Sequence, residues 1–183
     1  MTSAVVNLLR HPDAPWAGPE FRVLASCAPR ASGALECRFA VEGPLEALAL
    51  PPSEVPARRD GLWRHTCFEA FAARAGAPGY VEFNFSPSGA WAAYAFADYR
   101  APLAPPAVPA PAIEVRAEAG RLALTAVGVP PPWPPGEGGL EIGLSAVLEL
   151  KDGALGYYAL GHPAAHPDFH DRRGFRLRLP ATR

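Results

Sequence analysis

Apolar and polar positions alternate with period two along most of this chain, and no apolar repeat of period 3.6 persists beyond three turns. The cleanest alternation covers residues 80–86. Val81, Phe83 and Phe85 point one way; Tyr80, Glu82, Asn84 and Ser86 point the other. Such a strand has its back on a core and its front available for hydrogen bonding. The turn formers Ser86-Pro87-Ser88-Gly89 lead into a second strand over residues 90–97, with Trp91 and Tyr94 on opposite faces. Upstream, residues 63–73 set Phe68, Ala70 and Ala72 against Cys67, Glu69 and Phe71. These runs predict three successive antiparallel strands.

The pattern recurs on either side. Residues 4–9 and 21–26 are short apolar runs around a Pro- and Gly-rich loop, and residues 35–41 turn Leu35, Cys37, Phe39 and Val41 inward. Beyond Arg100 the stretch APLAPPAVPAPA excludes helix and central strand, because proline has a fixed φ and no amide hydrogen. Residues 113–118 and 121–127 predict a hairpin across Ala119-Gly120, followed by a rigid loop carrying Trp133. Residues 139–150 and 154–160 predict another, turned by Asp152-Gly153, and residues 174–179 supply a closing strand. About ten short strands at this spacing predict an all-β fold. The expectation is a single domain over residues 1–183, built as a jelly-roll or immunoglobulin-like antiparallel β-sandwich.

A length of 183 residues suffices for a core without disulfides or a structural metal. The net charge of −1 carries no electrostatic footprint for nucleic acid or for an anionic membrane surface. Cys27, Cys37 and Cys67 are odd in number and lack CxxC spacing, so they read as three buried thiols. The N-terminal stretch MTSAVVNLLRHPD has no basic region followed by a long apolar run, and no run of about 18 apolar residues occurs. A soluble, cytoplasmic protein is expected.

Candidate chemistry centres on the polar front of the middle strands. Glu69, Glu82 and Asn84 could exchange hydrogen bonds with the hydroxyls of a polyhydroxylated ligand. Arg64 and Arg100 are candidates to hold a carboxylate or phosphate of a sugar derivative, and Trp63, Trp91 or Tyr158 to stack on a sugar ring. Glu69 and Glu82 could also supply the two carboxyls that glycosidase chemistry needs. A second constellation is GHPAAHPDFHD, where His162, His166 and His170 recur every four residues with Asp168 between. Pro163 and Pro167 forbid a helix there, yet a loop can gather ligands for a metal ion or, through two histidines, haem. No cofactor is required by the pattern, and no GxGxxG, Walker A, GxSxG or HExxH motif is present.

The segments Leu62-Trp63-Arg64-His65-Thr66-Cys67-Phe68-Glu69-Ala70-Phe71, residues 80–94, Ser145-Ala146-Val147 and Pro167-Asp168-Phe169-His170 through Gly174-Phe175 together carry a family likeness. In their order and spacing the chain resembles the bacterial DOMON-like domain proteins, which are related to carbohydrate-binding module family 9-like domains. The likeness covers residue 60 onward; the N-terminal third matches only in length and strand content. The resemblance implies a β-sandwich that binds a sugar, or in some relatives haem, without catalysis. Trp63, Arg64, Glu69, Glu82, Asn84 and Trp91 fall on the matching motif positions, and His162 and His170 belong to the closing loop. Met1 is the only methionine, so the methionine that ligates haem in cytochrome-type relatives has no counterpart. A sugar, sugar nucleotide or cell-wall precursor inside the cell is the expected ligand.

Overall fold

The computed structural model describes residues 4–13, 16–31, 33–128 and 138–180, and among these the period-two runs become twelve strands. In chain order they are β1 (Val6–Arg10), β2 (Arg22–Pro29), β3 (Leu35–Glu42), β4 (Cys67–Arg74), β5 (Tyr80–Phe85) and β6 (Trp91–Asp98). There follow β7 (Ala101–Pro102), β8 (Ala112–Glu118), β9 (Arg121–Gly128), β10 (Leu140–Glu149), β11 (Leu155–Ala159) and β12 (Leu177–Leu179). The predicted loop carrying Trp133 lies outside the described residues.

The strands hydrogen-bond in the order β7-β6-β5-β4-β10-β11-β1-β2-β3-β9-β8, antiparallel throughout, with β12 paired to the first residues of β10. β1 serves both halves of this path: Val6, Asn7 and Leu8 pair with β2, whereas Leu9 and Arg10 pair with β11. The path therefore folds over at β1 and lays one half on the other. Val23, Phe39, Val41, Leu122 and Leu124 of the first layer share one buried core with Phe68, Phe83, Ile142, Leu144 and Leu148 of the second. Phe39 stacks on Phe68 with ring centroids 5.1 Å apart, joining the layers near their middle. The fold is a β-sandwich.

Cys27 and Cys37 face each other across β2 and β3, with 3.4 Å between sulfurs, and all three cysteines are buried and outside any disulfide. No helix among the described residues is long and apolar enough to cross a membrane.

The structure departs from the sequence pattern in three places. Strand β4 begins only at Cys67, because Leu62–Arg64 forms a short 3-10 turn after Gly61. The closing run is shorter than its alternation predicts: Arg172–Gly174 is also a 3-10 turn, and only Leu177–Leu179 pairs. The third departure matters most for the site. The front of the central strands is covered, leaving Glu69 2%, Glu82 5% and Asn84 0% exposed. Phe71, Ala73, Tyr80 and Phe175 form a second apolar cluster on this outer face, with Phe96 and Phe169 against it. The segment between β11 and β12 closes over that cluster. Arg172 anchors it by donating to Glu141 Oε2 at 2.5 Å and to the Ala77 carbonyl.

Candidate functional site

Beside this second cluster the outer face opens into a cleft of about 440 Å³, within the range of small-molecule sites. Its polar floor is Glu69 of β4, Glu82 of β5 and His170 of the closing segment. Its walls are Trp63, Tyr94, Phe96, Tyr157 and Phe169, with Arg100 at one side. The register explains the arrangement. Glu82 lies opposite Tyr94, and Tyr80 opposite Phe96, so the β5–β6 hairpin sets aromatic rings beside the carboxyl on the same face. Val147 of β10 lies opposite Tyr157 of β11 and carries that face to the next pair.

A relay of hydrogen bonds holds His170. The Arg100 amide donates to the Tyr80 hydroxyl oxygen at 3.1 Å, and that hydroxyl lies 2.8 Å from His170 Nδ1. An imidazole that takes the Tyr80 proton on Nδ1 carries its own proton on Nε2, the nitrogen on the Glu82 side. Nε2 stands 3.8 Å from Glu82 Oε2. Phe71 and Phe96 pack edge-on against the same imidazole, at 5.4 and 5.0 Å. Burial and the nearby Arg100 charge bring the His170 pKa down to about 4, so the ring is neutral at pH 7.

The two glutamates are shifted the other way. Burial raises Glu82 to about 7, against the lowering effect of the Asn84 hydrogen bond and the Arg100 charge. Burial and the charge of Glu82 hold Glu69 well above the usual carboxylate range, although Ser145 Oγ donates to Glu69 Oε2 at 3.1 Å. Two neighbouring buried carboxyls resist ionising together. Arg100 occupies the second position of the two-residue turn between Asp98 and Ala101, with a left-handed φ of 49°. Asp168 anchors its guanidinium at 2.8 Å and also accepts from the Tyr99 hydroxyl at 2.7 Å and the His170 amide at 3.1 Å. Burial pushes the Asp168 carboxyl up, but these donors outweigh it and leave it below its ordinary value.

Trp63, Glu69, Glu82 and Arg100 thus meet in one cleft, and four other predicted contacts do not join them. Trp91 points into the sandwich core, because its face of β6 is the one shared with Ala93 and Ala95. Tyr158 is likewise a core residue, 1% exposed, with its hydroxyl unpartnered among the described residues. Arg64 sits exposed on the 3-10 turn, away from the lining. Asn84 lies beneath the floor, donating to Glu82 Oε1 at 2.5 Å and accepting from the Cys67 thiol at 3.4 Å. Arg100 is present at the cleft, with its Nη2 paired to Asp168 at 2.8 Å.

The histidine loop does not converge. His162 Nε2 donates to the Leu9 carbonyl at 2.7 Å and its ring packs on His11; His166 is exposed. Asp168 is engaged by Arg100 and Tyr99, and His170 by Tyr80. Among the described residues no three His, Cys, Asp or Glu side chains are grouped to hold a metal ion. The candidate side chains of this loop therefore sit in separate environments.

Sequence reasoning missed Tyr80, Tyr94, Phe96, Tyr157 and Phe169. For the first four a signal existed. The Ser86-Pro87-Ser88-Gly89 turn fixes the pairing that sets Glu82 opposite Tyr94, and the Asp152-Gly153 turn fixes the one that sets Val147 opposite Tyr157. Phe169 arrives from a loop without periodicity, and no local pattern announces it.

No protein-family profile matches the chain, and no curated protein matches its sequence. Solved structures do resemble it. A proposed carbohydrate-binding protein from Bacteroides uniformis superposes with a TM-score of 0.63 at 14% identity, over 94% of this chain and 84% of that one. A carbohydrate-binding module of family 9 from Caldicellulosiruptor kristjanssonii, solved in complex with glucose, gives 0.55 at 7% identity, over 78% of this chain and 68% of that one. At these identities the likeness is one of fold.

Proposed function

We propose that this chain is a non-catalytic carbohydrate-binding domain of the DOMON-like and family 9-like kind, and that the cleft on the outer face of β4, β5, β6, β10 and β11 holds the sugar. One observation carries the reading: a buried polar floor of Glu69, Glu82 and His170 lies inside aromatic walls. A pyranose has apolar faces and a rim of hydroxyls. Trp63 and Tyr94, in edge-to-face contact at 5.8 Å, offer ring surface to such a face. The floor offers the acceptors of Glu82 and the Nε2 donor of His170 to the rim. The fold shared with two carbohydrate-binding neighbours supports the same class of ligand.

The test is a thermal-shift series with mono- and disaccharides, sugar nucleotides and muropeptide fragments. A ligand at about 100 times its Kd is expected to stabilise the protein by about 2.7 kcal/mol, a shift of several degrees. The effect is expected to be lost in Glu82→Ala. Stabilisation by no sugar in the panel would count against the reading.

The Glu69–Glu82 pair favours a second reading, a weak glycoside hydrolase, since a carboxyl held near pH 7 can act as a general acid. Turnover of an aryl glycoside that disappears in Glu69→Gln or Glu82→Gln, while sugar binding survives, would select it.

A further inference from the structure

We propose that the cleft selects a sugar bearing a protonated amine, a hexosamine with a free amino group, over the neutral hexose. The inference rests on the carbohydrate reading above and narrows it. It starts from two buried carboxyls that no cation among the described residues matches. Glu69 and Glu82 are both buried beneath one cleft, and buried carboxylates are ordinarily matched by a cation. Here the match is missing. Among the described residues, the one nitrogen of a basic side chain within 4.0 Å of either carboxyl is His170 Nε2, at 3.8 Å from Glu82 and on a neutral ring.

The surrounding groups do not close the gap. Arg100, on the β6–β7 turn, reaches Glu82 with its field while its Nη2 donates to Asp168 at 2.8 Å. Tyr80 is hydrogen-bonded to His170, Tyr94 donates to Asp60 Oδ1 at 3.0 Å, and the Cys67 thiol donates to Asn84. These groups are neutral, so none of them stabilises the pair's ionised form, and burial favours its protonated form. Glu82 Oε1 accepts from Asn84, while no hydrogen bond from the described residues reaches Oε2, which faces the cleft on the His170 side.

The walls suit the same charge. Trp63, Tyr94, Phe96, Tyr157 and Phe169 present aromatic surface to the space above the carboxyls. A cation near such faces is attracted by the ring quadrupole, and more so when desolvated. An ammonium beside Glu82 stabilises the ionised carboxylate, so binding should expel the proton that burial retains there. An anionic sugar meets the opposite situation, since its charge would face the carboxyl pair with Arg100 already engaged.

Calorimetric titration tests this with glucose, glucosamine and N-acetylglucosamine at about pH 6.5, where a sugar amine is protonated. Repeating each titration in two buffers of different ionisation heat counts protons. Glucosamine is expected to bind at least about tenfold tighter than the other two and to release protons to the buffer. Glu82→Gln and Glu69→Gln, each checked for a native circular-dichroism spectrum, are expected to bring the glucosamine-to-glucose ratio toward one. Glucose and glucosamine binding within about threefold of each other, without proton release, would overturn the inference and leave the carbohydrate reading intact. Binding of none of the three sugars, or of any other in the panel, would overturn both.

Discussion

The Tyr80 hydroxyl lies 2.8 Å from His170 Nδ1, and this contact decides what the imidazole offers to the cleft. With the Arg100 amide on the Tyr80 oxygen, a hydroxyl proton directed at Nδ1 leaves Nε2–H as a donor beside Glu82. Nitrogen NMR of the histidine ring is expected to find the Nε2–H tautomer, titrating near 4 rather than near 6.5. In Tyr80→Phe the donor to Nδ1 is gone, and the ring should populate both tautomers. An imidazole that titrates at its ordinary pKa would argue against the relay.

Glu82 gives the protein a distinctive stability profile. Folded, it holds its proton to about pH 7, whereas an unfolded glutamate releases it near about 4.3. The folded state binds more protons across that window, so this group lowers stability as pH rises, by about 2–4 kcal/mol once above 7. His170 acts in the opposite sense. Its folded pKa near 4 lies below the unfolded value of about 6.5, so its contribution appears as pH rises between them and is lost on acidification. The two slopes largely cancel in the native protein. Glu82→Gln is expected to unmask the His170 slope and to raise Tm by about 4–10 °C at pH 8, with little change at pH 4. Parallel melting profiles for variant and native protein would contradict this.

The two tryptophans of the central strands should separate binding from folding. Trp63 is 41% exposed at the cleft, and Trp91 is 6% exposed in the sandwich core. Trp63→Ala is expected to weaken sugar binding by about tenfold, with Tm nearly unchanged. Trp91→Ala is expected to cost about 3–5 kcal/mol of stability by opening a cavity. Denaturant melts together with sugar titrations read both quantities, and the reverse pattern would place the site elsewhere.

Asp168 fastens the closing segment to the β6–β7 turn. Asp168→Asn keeps the shape but removes the charge that Arg100 and Tyr99 engage, which should destabilise by about 1–3 kcal/mol at neutral pH. The native carboxyl is held below its unfolded pKa of about 3.9, so its stabilisation is present above that value and lost as pH falls through the folded one. The gap between variant and native protein in urea melts should therefore shrink as pH falls below the ordinary aspartate range. A penalty undiminished at low pH would assign the effect to packing.

The sandwich was legible because its strands obey one rule. Phe68, Phe83 and Ile142 fall on inward positions by period two, and the turns at Ser86-Pro87-Ser88-Gly89 and Asp152-Gly153 carry recognisable chemistry. The site was legible only in its floor. Glu69 and Glu82 stood out as polar residues on a strongly patterned face, but the same alternation sends Trp91 and Tyr158 to the core and Tyr94 and Tyr157 to the cleft. Choosing the aromatic residue without the register picks the wrong neighbour. The histidines were illegible for another reason. Spacing in a Pro-interrupted loop says nothing about convergence, and His162, His166 and His170 each took a separate environment.

The most direct test of the cleft as a sugar site is an amide and indole NMR titration, following the Trp63 and Trp91 side-chain N–H signals as a sugar identified by thermal shift is added. The expected result is a saturable shift of the Trp63 indole and of the Glu82, Tyr94 and His170 amides, with the Trp91 indole unmoved. Shifts confined to the outer face of β2, β3 and β9, with Trp63 and His170 unaffected, would contradict the account.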